Sequence, residues 1–400
     1  MRASEIRRLI QLKPVELNAA RRRLSACHDI HELRKSARRV IPRPVFDYVD
    51  GAADEELSMA ANVRAFRRWQ FQPRALTGIT TVDTATRLLD RDLPLPLVMA
   101  PTGYTRMMHP AGEIAVARAA QRHGLPYTLS TMATTTIEDV AAAAPDARRW
   151  FQLYLWRDRA YGKDLVERAA AAGYDTLMLT VDTPVGGARL RDVRNGLTIP
   201  PALSLRTFVD GAMHPHWWFN MLTTDPLTFA SLESSDGTVS DMINRVFDPA
   251  LTMADVEWLR GAWPGKLVIK GIQSVADAVR VTEAGADAVL LSNHGGRQLD
   301  RAPVPLELVA PTVEALDGRA EVLVDTGIMH GADVLAAIAL GARAALIGRA
   351  YLYGLMAGGQ TGVEKAITIL TGEMVRTLQL IGLTSVDQLR PEHVRIRPNG

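Results

Sequence analysis

The chain has a single cysteine, Cys27, among its 400 residues. One cysteine excludes an internal disulfide and leaves no cysteine cluster that could bind zinc or an iron–sulfur centre. No apolar run approaches the roughly 18 residues that a membrane-spanning helix requires, and arginines interrupt the leucines where a signal peptide would begin. We therefore expect a cytoplasmic protein without a metal site, which at most lies on the inner face of the cell membrane.

Charges of the two signs nearly balance over the whole chain, with a formal net charge of +2, but they are unevenly placed. Residues 1–43 carry 12 Arg and Lys against 4 Asp and Glu, with arginine clusters at 21–23 and 38–39. No aromatic residue lies between those arginines and no nucleic-acid module is recognisable, so we interpret the segment as a solvated helical face and expect no nucleic-acid partner. Contact of this basic segment with an anionic lipid surface stays an open alternative.

From about Leu95, short apolar runs alternate with Ala-rich amphipathic segments. The runs predict eight strands, at Leu97–Ala100, Tyr127–Leu129, Trp150–Tyr154, Thr176–Val181, Leu267–Lys270, Ala288–Ser292, Glu321–Val324 and Ala344–Ile347. The segments between them predict helices, for example Glu113–His123, Asp164–Ala172, Ser274–Ala284 and Gly331–Leu340. Eight strand–helix units in series predict an α/β fold, the (β/α)8 or TIM barrel.

Two segments lie outside this alternation. Residues 1–90 predict an N-terminal helical extension that packs on the barrel, with a short β-like element near Phe71. Residues 183–262 form a long insertion after the fourth strand, and we expect it to cover the active-site end of the barrel, because long connections in compact enzymes are commonly lids or binding loops. The barrel itself is predicted at 91–400.

Active sites of such barrels lie at the C-terminal ends of the strands. Polar residues or glycines follow the apolar runs there: Thr102, Gly103, Ser130, Gln152, Tyr154, Thr180, Asp182, Lys270, His294, Arg297, Asp325, Gly327, Gly348 and Arg349. Each has an ordinary structural explanation on its own, such as a helix cap or a satisfied backbone group. Their occurrence at all of the strand ends together favours a binding site.

Strands seven and eight end in VDTG (324–327) and LIGRA (346–350), which place glycine amides and Arg349 where barrels commonly hold a phosphate. No G-x-G-x-x-G follows a strand, which removes the main sequence signature of NAD or FAD bound in a Rossmann manner. FMN and PLP remain as candidate phosphate cofactors, since Lys270 could form the Schiff base that PLP needs.

The segment SNHGGRQLD (292–300) brings a base and a fixed cation to the end of the sixth strand. The Arg297 fork matches a carboxylate, and His294 is a candidate base for a proton on the neighbouring carbon or hydroxyl. Asp182 could orient that imidazole, and Lys270 could stabilise the anionic reduced form of an electron-accepting ring. The group predicts the oxidation of a small 2-hydroxy carboxylate.

SNHGGRQLD, together with FQLY (151–154), TVDTP (180–184), KGI (270–272) and IGRA (347–350), resembles the FMN-dependent α-hydroxy-acid oxidase and dehydrogenase family. The resemblance covers approximately residues 30–390. Three further segments, GARLRDVRNG (187–196), HPHWW (214–218) and FDPALT (247–252), resemble the bacterial L-lactate dehydrogenases of that family, which pass electrons to quinone or cytochrome.

The resemblance implies FMN as the cofactor, His294 as the catalytic base and Asp182 as its partner. It implies substrate binding by Tyr48, Tyr154, Arg189 and Arg297. It implies FMN binding by Thr102, Gly103, Ser130, Gln152, Thr180, Lys270, Asp325, Gly327, Gly348 and Arg349. It also implies a homotetramer and peripheral association with a membrane.

Two positions depart from the family's pattern. Met329 stands where relatives commonly have an arginine, so the phosphate has one cation fewer, and His330 is a possible substitute. Met132 stands where plant glycolate oxidases have a tryptophan, which changes the substrate pocket. Nothing in residues 1–90 resembles the haem domain fused to the yeast enzyme, so we expect the electron acceptor to be external.

The leading hypothesis is oxidation of L-lactate to pyruvate with quinone or another external acceptor. One alternative is an oxidase that reduces O₂ and releases hydrogen peroxide, and another is a barrel that acts on a peptide-derived precursor. The presence of His294, Asp182, Tyr154 and Arg297 together argues against a protein without catalytic activity. Residues 198–247 carry Trp217 and Trp218, and this loop either packs on the barrel or enters a bilayer surface.

Overall fold

The computed structural model of this protein describes residues 16–196, 210–224, 227, 230 and 248–397. The loop 198–247, for which packing on the barrel and entry into a bilayer surface are both open, is thus described only at 210–224, 227 and 230, and the basic segment only from residue 16. The remainder of both segments lies outside the described residues. Within the described ranges, no helix combines the length and the apolar character needed to cross a membrane.

The described part of the N-terminal extension contains four helices that pack on the barrel. They are α1 (Ala19–Ser25), α2 (Ile30–Val40), α3 (Arg43–Asp50) and α4 (Leu57–Arg67). Asp29 caps α2, because its carboxylate accepts a hydrogen bond of 2.6 Å from the backbone N–H of Glu32. The apolar face of α2, with Ile30 and Leu33 fully buried, packs on the long C-terminal helix.

Eight parallel strands close into a barrel, which confirms the predicted fold. They are β4 (Leu97–Met99), β5 (Tyr127–Ser130), β6 (Arg149–Leu153), β7 (Thr176–Thr180), β8 (Lys266–Ile272), β9 (Ala288–Leu291), β10 (Glu321–Val324) and β11 (Ala344–Ile347). β11 pairs with β4 and completes the closure. The active-site residues therefore come from loops that meet at one rim.

Helices between the strands form the outer layer. They include α5 (Thr105–Met108), α6 (Gly112–Arg122), α7 (Ile137–Ala143), α8 (Arg159–Ala171), α12 (Val275–Glu283), α13 (Pro305–Leu316) and α14 (Gly331–Ala339). The predicted start of α8 at Asp164 was wrong. The helix begins at Arg159 because Asp158 is its N-cap and accepts a hydrogen bond from the backbone N–H of Ala160.

The barrel interior is filled by large apolar side chains. Trp150, Met178 and Leu346 belong to this inner cluster, as do Leu88 and Leu93 of a hairpin formed by β2 (Thr86–Leu88) and β3 (Arg91–Leu93). The hairpin precedes β4 and packs on the interior side chains, so it closes the barrel end opposite the active-site rim. The two strands of the hairpin lie on either side of residue 90, the predicted boundary between the extension and the barrel. The division of the chain into these two parts stays a prediction.

The predicted insertion contains α9 (Leu190–Asn195), α10 (Pro215–Thr223) and α11 (Met253–Ala262). α11 buries Val256 and Leu259 and supplies the barrel's regular helix between β7 and β8. The chain ends with α15 (Arg349–Ile381), broken at Gly358–Gly359, and with β12 (Val394–Ile396). β12 pairs with β1 (Trp69–Phe71), the β-like element predicted near Phe71, and so connects the C-terminal part of the described chain to the N-terminal extension.

Candidate active site

A cavity of about 390 Å³ opens at the C-terminal ends of the barrel strands. Of the residues that the sequence predicts for the site, the cavity is lined by Tyr48, Thr102, Gly103, Ser130, Gln152, Tyr154, Thr180, Arg189, Lys270, His294, Arg297, Asp325, Gly327, Gly348 and Arg349. Asp182 lies directly behind the lining, where its side chain is fully buried. The structure thus brings the predicted site residues together.

His294 and Asp182 form a hydrogen-bonded pair. The Nδ1 atom of His294 lies 3.0 and 3.1 Å from the two carboxylate oxygens of Asp182. This contact leaves Nε2 directed to the cavity side, 3.5 Å from the hydroxyl of Tyr154. A buried carboxylate on Nδ1 fixes the tautomer and orientation of an imidazole, so Nε2 is the atom available to accept a proton.

The backbone around the pair is unusual in two places. His294 has a φ of 58°, a left-handed conformation that costs a non-glycine residue roughly 1–3 kcal/mol and that accumulates at functional sites. Gly271, in β8, has a φ of 98°, and a Cβ atom there would lie 2.7 Å from the Asp182 side chain. The glycine of the KGI segment therefore leaves the space that the carboxylate occupies.

Burial and neighbouring charges set the protonation of the pair. Burial lowers the pKa of His294 and outweighs the Asp182 carboxylate, which raises it, while Lys270 lowers it further. Burial acts to raise the pKa of Asp182, but His294 and Lys270 more than offset this, so that pKa is lowered. The pair therefore rests as a neutral imidazole beside an ionised carboxylate, the state that a general base requires.

Two arginines and a tyrosine form the electropositive side of the cavity. The guanidinium carbon of Arg297 lies 5.0 Å from the centre of the Tyr48 ring, and that of Arg189 lies 5.6 Å from it. Burial and the nearby charges of Arg189 and Arg349 lower the pKa of Arg297 to about 10, although Tyr48 opposes the shift. Because the arginines repel one another, a carboxylate bound between them would be stabilised.

A row of polar side chains crosses the floor of the cavity. Ser130 donates from Oγ to Gln152 over 2.9 Å, and Gln152 donates from Nε2 to Thr180 over 3.0 Å. Lys270 follows on the next strand, buried, with its Nζ 2.9 Å from the Ser292 hydroxyl. Successive strands of the barrel thus present donors and acceptors along one line, which suits the polar edge of a planar heterocycle.

At the opposite side, the loops after β10 and β11 bring glycines and Arg349 to the cavity. Each guanidinium nitrogen of Arg349 donates to a backbone carbonyl, at 2.9 Å to Val49, 3.0 Å to Gly295 and 2.8 Å to Gly51. Arg349 therefore ties the His294 loop to the end of α3 and adds its charge to the site. Gly348 is the N-cap residue of α15 (Arg349–Ile381) and supplies no side-chain cap, which leaves the first turn of that helix accessible to an anion.

The residue proposed as a substitute cation, His330, is placed elsewhere. Its Nδ1 atom lies 3.5 Å from Glu373 and it is not among the cavity-lining residues, whereas Met329 is. His330 is the N-cap residue of α14. His330, a possible substitute for the missing arginine, is therefore not among the residues that line the cavity.

The cavity's chemistry fits FMN. A polar edge formed by Ser130, Gln152, Thr180 and Lys270 faces a heterocycle, and a helix N-terminus beside Arg349 faces a phosphate. Gly348 leaves open space at its Cα, since the nearest atom to an added Cβ would be the Ala100 side chain at 3.8 Å. A backbone amide can therefore approach a phosphate closely there.

Several lining or neighbouring residues were not predicted from the sequence, among them His31, Arg34 and Asp192. His31 and Arg34 of α2 line the cavity although they lie far from every barrel motif. Asp192 lies 3.7 Å from Arg189, and burial raises the pKa of its carboxyl. Asp192 stands within a quoted motif and could have been noticed there. Nothing in the local sequence of α2 points to the cavity.

Comparison with known proteins gives a consistent result. Residues 37–396 match the family described as FMN-dependent dehydrogenase. The chain is 54% identical, over 98% of its length and 95% of the relative, to a Mycobacterium tuberculosis protein provisionally named as an L-lactate dehydrogenase. It is 39% identical, over 90% of its length and 97% of the relative, to the L-lactate dehydrogenase of Allorhizobium ampelinum. The crystal structure of the monotopic membrane protein (S)-mandelate dehydrogenase superposes with a TM-score of 0.88, at 37% identity over 93% of this chain and all of that one.

Proposed function

The chain belongs to the FMN-dependent dehydrogenase family and oxidises 2-hydroxy acids with FMN, and from this we propose that its substrate is L-lactate, which it converts to pyruvate. The observation that carries the proposal is the His294–Asp182 pair beside the two arginines. In this pair, Nδ1 of His294 lies 3.0 Å from Oδ1 of Asp182. A base next to a carboxylate clamp matches a molecule that carries a hydroxyl on the carbon next to its carboxylate.

Each residue then has a distinct task. Arg297 and Arg189 bind the substrate carboxylate and thereby orient the hydroxyl-bearing carbon. The Tyr154 hydroxyl, whose pKa is raised by burial and by Asp182, stays protonated and donates a hydrogen bond to the substrate oxygen. His294 accepts the substrate proton at Nε2, and Asp182 stabilises the imidazolium that results.

FMN, when bound, supplies the acceptor for the two electrons released by the oxidation. Thr102, Gly103, Ser130, Gln152, Thr180, Lys270, Asp325, Gly327, Gly348 and Arg349 would hold it. Lys270 is buried, and its Nζ lies 3.5 Å from Oδ2 of Asp325. It would place a positive charge beside the polar edge of the ring. A fixed cation there favours extra negative charge on the ring.

Replacing Arg297 by Lys tests the carboxylate clamp. Lysine keeps the charge but loses the planar fork, so we expect kcat/KM for L-lactate to fall by an amount equivalent to about 2–4 kcal/mol. Steady-state kinetics with an artificial electron acceptor measure this. Arg191→Lys is the matched control, because Arg191 lies in the same segment as Arg189 but is not among the cavity-lining residues and pairs with Asp50 and Glu56.

The unmodified enzyme provides a second check on the clamp. Lactamide has the hydroxyl of lactate but no carboxylate, so the wild-type protein should oxidise it far more slowly than lactate. Equal kcat/KM for the acid and the amide would show that no clamp operates.

We propose that the electron acceptor is a quinone. We also propose that the protein associates peripherally with an anionic membrane surface. Two observations support the membrane proposal. The structurally similar (S)-mandelate dehydrogenase is described as a monotopic membrane protein. In addition, three apolar side chains in α10 and just before it are exposed over 74%, 66% and 77% of their surfaces, those of Met213, Phe219 and Leu222. Apolar side chains of this kind favour the boundary between lipid headgroups and hydrocarbon.

Trp217, in the same helix, has a different role. Its Nε1 donates to the backbone carbonyl of Met107 over 2.9 Å, and its ring packs edge-on against Trp218 at 5.1 Å. This contact anchors α10 on α5. Substituting Trp217 would therefore detach the helix from the barrel, and the exposed residues Phe219 and Leu222 are better probes of membrane contact.

We expect a Phe219→Ser/Leu222→Ser variant to lose flotation with anionic liposomes at low salt, while the wild type floats. The matched control is Leu76→Ser/Leu380→Ser, which also changes two exposed leucines to serine. These leucines lie in neighbouring segments, since the backbone N–H of Arg74 donates to the carbonyl of Leu380. Activity with a soluble acceptor should be the same for all three proteins. Equal recovery of the wild type and the α10 variant in the soluble fraction would contradict membrane binding by α10.

A further inference from the structure

One end of the cavity is bounded by a helix of the N-terminal extension. His31 and Arg34 of α2 line the cavity together with Met329 and Arg349. The His31 ring lies 5.3 Å from the ring of His330, so His31 stands beside the loop that follows β10. This is the end where barrels commonly bind a phosphate, between the loops after the seventh and eighth strands.

Three other basic groups around that end, Arg34, Arg349 and His330, already have partners. Arg34 donates to both carboxylate oxygens of Asp50, at 2.5 and 2.8 Å. Arg349 donates to three backbone carbonyls and His330 pairs with Glu373. The His31 imidazole, by contrast, makes no hydrogen bond to any residue that the structure describes.

The backbone amides before α14 are engaged as well. Met329 and His330 both donate from their backbone N–H groups to one oxygen of Asp333, at 2.8 and 2.9 Å. Gly331 donates to Glu373 over 2.6 Å. The first turn of α15 thus stays available to a phosphate at this end, and a further side-chain donor would strengthen the binding.

The charges around His31 favour an anion. Burial lowers the pKa of His31, and the neighbouring His330, Arg67 and Arg34 lower it further, while Asp29 acts in the opposite direction. A negative group bound next to the ring would relieve this repulsion and favour the charged imidazolium. Met329, the cavity-lining residue on the adjacent loop, supplies no charge.

We propose that His31 binds the phosphate group of FMN and supplies the cation that Met329 does not. The N-terminal extension would then contribute directly to cofactor binding. The proposal concerns the cofactor alone and is independent of the identity of the hydroxy acid and of the electron acceptor.

Comparing FMN with riboflavin isolates the phosphate, because riboflavin has the same ring and lacks the phosphate. The full-length chain, freed of flavin, is titrated with each compound and binding is followed by flavin fluorescence. We expect His31→Gln to weaken FMN binding by about tenfold or more, the effect of a lost hydrogen bond to a charged group, and to leave riboflavin binding unchanged. His330→Gln is the matched control and should leave the ratio of FMN to riboflavin affinity as in the wild type.

A second variant tests whether the lost interaction is the charge itself. Adding Met329→Arg to His31→Gln places a cation on the adjacent loop and should restore most of the FMN affinity without changing riboflavin affinity. The proposal is overturned if His31→Gln leaves the affinity ratio at the wild-type value, if it weakens both flavins equally, or if His330→Gln causes the selective loss instead.

Discussion

His294→Gln is expected to retain bound FMN and to slow anaerobic reduction of the flavin by L-lactate by at least about 10³-fold. General-base catalysis alone contributes roughly 10²–10⁴-fold, and the loss of an oriented base adds to it. Glutamine preserves the size of the side chain and keeps a polar group near Asp182, so the fold and the yellow colour should persist. The rate is measured by stopped-flow absorbance of the flavin.

A matched histidine substitution shows whether the effect belongs to the site. His123→Gln changes a histidine that follows α6, before β5, at the barrel end opposite the cavity. That variant should reduce its flavin at the wild-type rate. If His294→Gln were reduced within tenfold of the wild type, His294 would not be the base.

Asp182→Asn is expected to have the second largest effect, lowering the rate of flavin reduction by roughly 10²–10⁴-fold. The amide keeps the shape of the carboxylate, but it carries no charge to stabilise the imidazolium that forms when His294 accepts the substrate proton. It can also donate to Nδ1 and so favour the wrong tautomer. The fully buried position of the Asp182 side chain prevents water from replacing the lost charge.

The pH profile separates this role from a purely structural one. The base form of His294 exists above its pKa, and the Asp182 carboxylate raises that pKa against the effect of burial. Removing the carboxylate therefore lowers the pKa of His294, and the acidic limb of kcat/KM should move to lower pH while the plateau rate falls. An unchanged plateau, or an acidic limb at higher pH, would contradict the assigned role of Asp182.

The barrel could be predicted from the sequence because most of its strands are short apolar runs followed by a polar residue or glycine. The strands Glu321–Val324 and Ala344–Ile347 agree with their predicted bounds. The site could be predicted for a related reason, since strand order places every strand end at one rim. The start of α8 was missed because its cap, Asp158, lies before the amphipathic pattern begins.

Contacts between distant segments could not be predicted in this way. His31 reaches the cavity only because α2 packs on α15, which is a tertiary contact with no local sequence signature. The engagement of Arg349 by backbone carbonyls and of His330 by Glu373 likewise depends on packing. The chemistry of a residue indicates what it can bind, but the fold determines which partners lie within bonding distance.

Anaerobic flavin reduction by a panel of 2-hydroxy acids tests the central claim most directly. The purified protein should show the visible spectrum of an oxidised flavin, and L-lactate should bleach it fastest, ahead of D-lactate, glycolate and (S)-mandelate. Rapid bleaching by another 2-hydroxy acid with no response to L-lactate would contradict the proposed substrate. Failure of every 2-hydroxy acid to reduce the flavin, with FMN bound and reducible by dithionite, would contradict the assignment of the His294–Asp182 pair and the arginines as the catalytic site.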